Sequence, residues 1–106
     1  MKKENDVAVL MWEGEINVRN ANEARNTFTK LLQDGEKKIL VDFEKVGFID
    51  SSGLAVLIEV VQRLQKVNGQ LRLCNVNREI RGIFEIVKIH KLVNIYDDRS
   101  AALEGF

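Results

Sequence analysis

The apolar positions along the chain repeat with two different periods, and each change of period marks a boundary between elements. The run VAVLMWEGEI that follows Asp6 is strand-like. Gly14 is placed for a tight turn that would fold a short second strand, around Ile16, back beside the first, so the run reads as a hairpin or as a sharply bent strand. Ala21, Ala24, Phe28, Leu31 and Leu32 then recur at helical spacing, with Asn20 or Asn22 available as a cap and Gly35 following the end. The run Ile39-Leu40-Val41-Asp42-Phe43 is short, continuous and β-rich, as expected of a central strand covered on both faces.

A second helix is predicted after Asp50. Leu54, Leu57, Ile58, Val61 and Leu64 form one stripe, and Val56, Val60 and Val67 lie to one side of it. That apolar face is wider than a helix packed on a sheet needs. The surplus valines are expected to meet a neighbouring helix within the fold, or else a partner. Asn68-Gly69 ends the helix, and Leu71-Arg72-Leu73-Cys74 resumes a strand, so the unit is a right-handed crossover between parallel strands. Ile80, Ile83, Phe84 and Val87 mark a third helix, Ile95-Tyr96 a short last strand, and Ser100 to Leu103 the start of a terminal helix. The pattern predicts an α/β fold with one mixed sheet of four to five strands, about four helices in one or two further layers, and the long helix crossing the middle.

Length allows one domain, residues 1–106 with a core from about 6 to 103, since 106 residues are too few for two ordinary cores. Sixteen basic and sixteen acidic side chains leave a formal net charge of +0, so nothing draws the whole molecule to nucleic acid or anionic lipid. Cys74 and His90 are the only cysteine and histidine, which leaves no soft-ligand cluster for a metal and no internal disulfide. The opening MKKEND lacks the apolar core of a signal peptide, and Leu54 to Ile58 is far too short to span a membrane. A reducing cytoplasm is the expected setting. Trp12 alternates with Leu10 and reads as core or half-buried edge, Cys74 as a packed thiol, and His90 as a loop or helix-end residue.

The chemistry concentrates in Gly47-Phe48-Ile49-Asp50-Ser51-Ser52-Gly53-Leu54. Asp and Ser are good N-caps, so one reading of this stretch is purely structural. Its position argues for more, because the ends of parallel strands in α/β sheets are where ligands and partners are met. Gly53 removes a Cβ beside the serines and would let another backbone or a phosphate come close. No histidine lies nearby to activate a hydroxyl, and the spacing is neither a nucleophile elbow nor a Walker loop. The serine is therefore read as acted upon, with no catalytic residue and no cofactor.

Gly14-Glu15-Ile16, Ile39 to Phe43, Val46 to Leu54, and Gly69 to Cys74 together resemble, in order and spacing, the STAS family of anti-sigma factor antagonists. The resemblance spans almost the whole chain. It implies a small α/β domain that is not an enzyme and that binds an anti-sigma factor with serine-kinase activity, thereby releasing a sigma factor. It implies that Ser51 is the phosphoacceptor, restored by a phosphatase, and that Ser52 caps or packs beside it. Asp50, Ser52 and Gly53 would form the partner-facing entrance together with Asn17, Val18, Arg19 and Asn20, while Glu59, Gln62 and Arg63 on the long helix are further candidates. Two positions depart from the family pattern. Asn17 stands where an aspartate is common, and Val87-Lys88-Ile89 stands in place of a frequent Thr-Gly-Leu. The competing reading is a non-phosphorylated STAS subunit that braces a lipid-trafficking or transport ATPase. A nucleotide site in the same crevice is a third.

Overall fold

The computed structural model describes residues 2–106. Strand β1 (Lys2–Glu4) turns through Asn5 and Asp6 into β2 (Val7–Ile16), followed by α1 (Ala21–Gln33), β3 (Lys38–Ile49), α2 (Ser51–Gln65), β4 (Gln70–Cys74), α3 (Arg78–Ile86), β5 (Asn94–Tyr96) and α4 (Arg99–Leu103). The five strands lie in the order β1-β2-β3-β4-β5. β1 is antiparallel to β2, and every other neighbouring pair is parallel. The expected mixed sheet with four helices is therefore what forms.

Of the hairpin or sharply bent strand expected at Gly14, the bent strand forms, and the chain does not reverse there. β2 runs unbroken to Ile16, and the hairpin comes earlier, at Asn5 (φ 52°) and Asp6 (φ 66°). Two successive residues with positive φ make the two-residue turn whose twist suits a hairpin, and Asn and Asp tolerate it best after glycine. Gly14 instead bends the strand. Its φ is +74°, and the β2–β3 register slips between Met11 and Glu13 and again between Gly14 and Glu15, so β3 carries an extra residue at each step. The bends aim the ends of β2 and β3 at the start of α2.

Helices α1, α2 and α3 pack on one face of the sheet, where Leu10, Trp12, Ile39, Val41, Phe43 and Leu73 join Phe28, Leu57 and Phe84 in the main core. Trp12 is core, its ring 5.6 Å from Phe28 and 5.5 Å from Phe43, and Phe43 meets Phe84 at 5.9 Å. The wide face of α2 is used inside the fold: Val56 and Val60 are buried, and α1 lies against α2. Val67, just past the helix end, is exposed.

The opposite face carries a smaller cluster of Val7, Val9, Leu40 and Cys74 beneath Ala102 of α4, which makes the fold three layers. Two charged side chains are buried here. Asp42 accepts from the Asn75 side chain (3.0 Å), the Glu44 amide (2.9 Å) and Arg99 (2.9 and 3.1 Å), and Arg99 also reaches Glu4 at 3.0 Å. Burial alone would raise the Asp42 carboxyl, but these donors and the guanidinium charge hold it below its ordinary value. Arg72 donates to the carbonyls of Ala102 (3.0 Å), Glu104 (2.9 Å) and Gly105 (3.2 Å) with the Phe106 ring 4.3 Å away, fastening the C-terminal segment down. Burial, reinforced by the Asp42 charge, pushes the Cys74 thiol up to about 12, so it stays protonated and inert at neutral pH.

Candidate functional site

The ends of β2 and β3 converge on the entrance to α2, where the Asp50 amide donates to the Ile16 carbonyl at 3.0 Å. Asp50 then takes extended backbone and its carboxylate caps the helix, accepting from the amides of Ser52 (2.8 Å) and Gly53 (3.2 Å). These are two of the otherwise unpartnered donors of the first turn. The other carboxylate oxygen accepts from the Val18 amide at 3.3 Å, so one side chain links the helix start to the loop that follows β2. The cap is thus Asp50, and no capping hydrogen bond is made by Ser52, which is half-buried.

Ser51 is the first residue of α2 and is exposed. Its backbone lies between the cap and the first turn, so the hydroxyl stands at the positive end of a fifteen-residue helix without being buried in it. The loop Asn17 to Asn20 is held by its own side chains. Asn17 Oδ1 accepts from the Arg19 amide (2.9 Å), and Asn20 Oδ1 accepts from the Asn17 amide (2.8 Å) while its Nδ2 donates to the Glu15 carbonyl (2.8 Å). Asn20 occupies the cap position of α1, but its side chain points back into this turn and makes no cap bond to the helix. Val18 is 73% exposed and Phe48 36%, which puts apolar surface on either side of the Asp50–Ser51 corner. Val18 was expected here with its loop, whereas Phe48 was not singled out, because an exposed apolar residue looks the same in sequence as a buried one until the chain is folded.

Gly53 has a different role from the one expected. It is buried, and a Cβ there would sit 2.5 Å from Ile49 Cγ1 and 2.9 Å from Ile16 Cγ2. The glycine lets α2 settle on the sheet, and on the side where a Cβ would stand the close approach is made by the protein's own isoleucines. Glu59 and Arg63 are also engaged, with Arg25 at 2.8 Å and with Thr29 at 2.9 Å on α1, whereas Gln62 is exposed. His90 lies exposed in a 3-10 turn over Ile89–Lys91. Among the described residues, no three His, Cys, Asp or Glu side chains are grouped to hold a metal ion, and no helix is long and apolar enough to cross a membrane.

Comparison with known proteins gives a consistent outline. Residues 1–102 match the family described as the STAS domain. A candidate anti-sigma factor antagonist of Thermotoga neapolitana is 33% identical over 100 residues, which cover 93% of this chain and 88% of that one. An anti-sigma-B factor antagonist of Staphylococcus aureus is 29% identical over 82 residues, covering 77% of this chain and 76% of that protein. The crystal structure of a candidate anti-sigma factor antagonist from Thermotoga maritima superposes with a TM-score of 0.93 at 29% identity, covering 97% of this chain and 89% of that one.

Proposed function

The chain belongs to the STAS-domain family, and from that premise we propose that it is an anti-sigma factor antagonist whose binding to an anti-sigma factor with serine-kinase activity is switched off by phosphorylation of Ser51. The observation that carries this reading is the corner itself: an exposed hydroxyl on the first residue of α2, beside a carboxylate cap that is also bonded to an exposed loop. Relatives named as anti-sigma factor antagonists along most of the chain support the partner class. In this reading Ser51 accepts the phosphate. Asp50 and Asn17 to Asn20 form the docking rim, with Val18 and Phe48 supplying its apolar contact.

The switch follows from local charge. A phosphate adds about −1.5 to −2 charges and three acceptor oxygens. At the helix start the amides and the dipole favour it, so the fold itself tolerates the group. The Asp50 carboxylate beside it repels it, and a surface fitted to a bare hydroxyl must desolvate and accommodate it. A penalty of ~3 to 4 kcal/mol at the interface weakens binding by a few hundred-fold to about a thousandfold. A phosphatase acting on Ser51 restores the bound form.

The test is to incubate the protein with a candidate cognate kinase and ATP, map the phosphate by mass spectrometry, and measure binding of the unmodified, Ser51→Ala and Ser51→Asp forms. Phosphate on Ser51, none after Ser51→Ala, and binding lost only with the charged form are expected. Modification confined to Ser52, or equal binding by the modified and bare proteins, would overturn the proposal.

A further inference from the structure

β1 covers only the beginning of β2. The described pairs between them run from Lys2↔Val9 to Glu4↔Val7, so from Met11 to Ile16 β2 has a described partner on one side only, β3. The two-residue turn at Asn5-Asp6 makes Glu4 and Val7 the closing hydrogen-bonded pair, so Val7 and Val9 direct their amide groups toward β1. Met11 and Glu13, two and four residues further along, direct theirs the same way. The Glu15 carbonyl on this side is already taken by Asn20 Nδ2 at 2.8 Å. Among the described residues, what remains is a short open strand edge whose amide groups at Met11 and Glu13 face no other strand.

A groove of about 300 Å³ runs beside this edge, between β2 and α1, with Trp12, Ile16 and Ala24 among its apolar walls and Glu23 at its rim. Glu13 and Glu15 are exposed on the strand, and among the described residues the cation paired with Glu13 is Lys45, 3.8 Å away and itself exposed. The charge selects the occupant. A second copy offering the same edge would bring its glutamates against these, and like charges on facing strands are destabilising. A segment with lysines or arginines meets carboxylates on the strand, Glu13 and Glu15, and Glu23 on the groove rim.

We infer that the open edge of β2 from Met11 to Glu15 is a docking site for an extended, basic peptide segment of another protein, which adds to the sheet as a strand and places an apolar side chain in the groove between β2 and α1. The groove meets the rim of the Ser51 corner at Asn20 but includes neither Asp50 nor Ser51, so its occupancy does not require the switch.

Trp12 is the only tryptophan of the chain and forms part of the groove wall, so its fluorescence reports occupancy directly. The probe is a peptide of alternating lysine and valine, about eight residues long, a common strand length. Binding is expected to shift Trp12 emission, to slow amide exchange at Met11 and Glu13, and to weaken with salt. A Glu/Val peptide should not bind, nor should a Lys/Val peptide methylated on alternate backbone nitrogens. Glu13→Lys with Glu23→Lys should weaken binding at least about tenfold, roughly two opposite-charge pairs turned to like-charge pairs. Glu13→Pro, at an amide that leaves the β2–β3 ladder intact, should abolish it while the melting transition is kept. Ser51→Asp should leave it unchanged, so this result and that of the phosphorylation test are read independently. Binding that survives N-methylation, exchange protection elsewhere on the surface, or no binding of the Lys/Val peptide would each overturn the inference.

Discussion

Replacing Asp50 with alanine should loosen two elements at once. The carboxylate caps α2 through the Ser52 and Gly53 amides and reaches the Val18 amide across the corner. Loss of an N-cap costs about 1 kcal/mol, within a range of about 0.5 to 2. Loss of a negative charge at a helix start adds about 0.3 to 1 kcal/mol. The Val18 bond is long and exposed, so water replaces it at little cost. The sum is about 1 to 3 kcal/mol, a fall of roughly 4 to 24 °C in melting temperature at the ~4 to 8 °C per kcal/mol of a domain this size. Asp50→Asn keeps an acceptor oxygen and loses only the charge, so it should fall by no more than about a third to a half of the alanine value. Thermal unfolding by circular dichroism measures both, and amide exchange at Ser52, Gly53 and Val18 shows where the loss is felt. If alanine and asparagine melt together, or if exchange accelerates at Ser52 and Gly53 but not at Val18, the shared-cap reasoning is wrong.

Gly53→Ala should destabilise in urea by about 1 kcal/mol, because overpacking against Ile49 and Ile16 costs about 1 to 3 kcal/mol while alanine returns at most about 1 in helix propensity. Lys88, exposed with φ at 65°, holds the left-handed backbone that glycine adopts freely, so Lys88→Gly should stabilise by about 1 kcal/mol in the same assay, whereas Lys88→Ala should not. Asp42 titrates below its ordinary 3.8 in the folded protein, so its contribution is fully present above that value and is lost as pH falls through the lower folded one. Urea midpoints measured from neutral pH downward should decline below about pH 4, and Asp42→Asn should flatten that acid limb while lowering the neutral plateau.

Much of the architecture was legible because its signals are local. Helix α2 announced itself through its apolar stripe and the Asp-Ser-Ser entrance, and β3 through the run Ile39 to Phe43. The second half of β3 was not legible, since Glu44, Lys45, Gly47 and Phe48 are exposed and resemble a loop. They remain strand only because β2, bent at Gly14, continues to pair with them. β1 gave no signal because Lys2, Lys3 and Glu4 lack apolar alternation, and what organises them is the Asn5-Asp6 turn. At the corner, Asp50 and Ser51 were readable from residue type and order. The reason for Gly53 was not, because the atoms that require it belong to Ile49 and Ile16, and the latter is brought near only by the parallel pairing of β2 with β3. Arg72 was missed for the same cause: its partners Ala102, Glu104 and Gly105 are about thirty residues further along.

The seating of α2 on bare backbone has a kinetic meaning. With no side chain between Gly53 and the two isoleucines, the first turn has little room to rock, and the hydroxyl one residue past the cap has its location set by the sheet. Whatever approaches that corner therefore meets a surface already in its final shape, and little order has to be created on contact. The speed of such an encounter is governed by how often the two bodies collide in the right orientation.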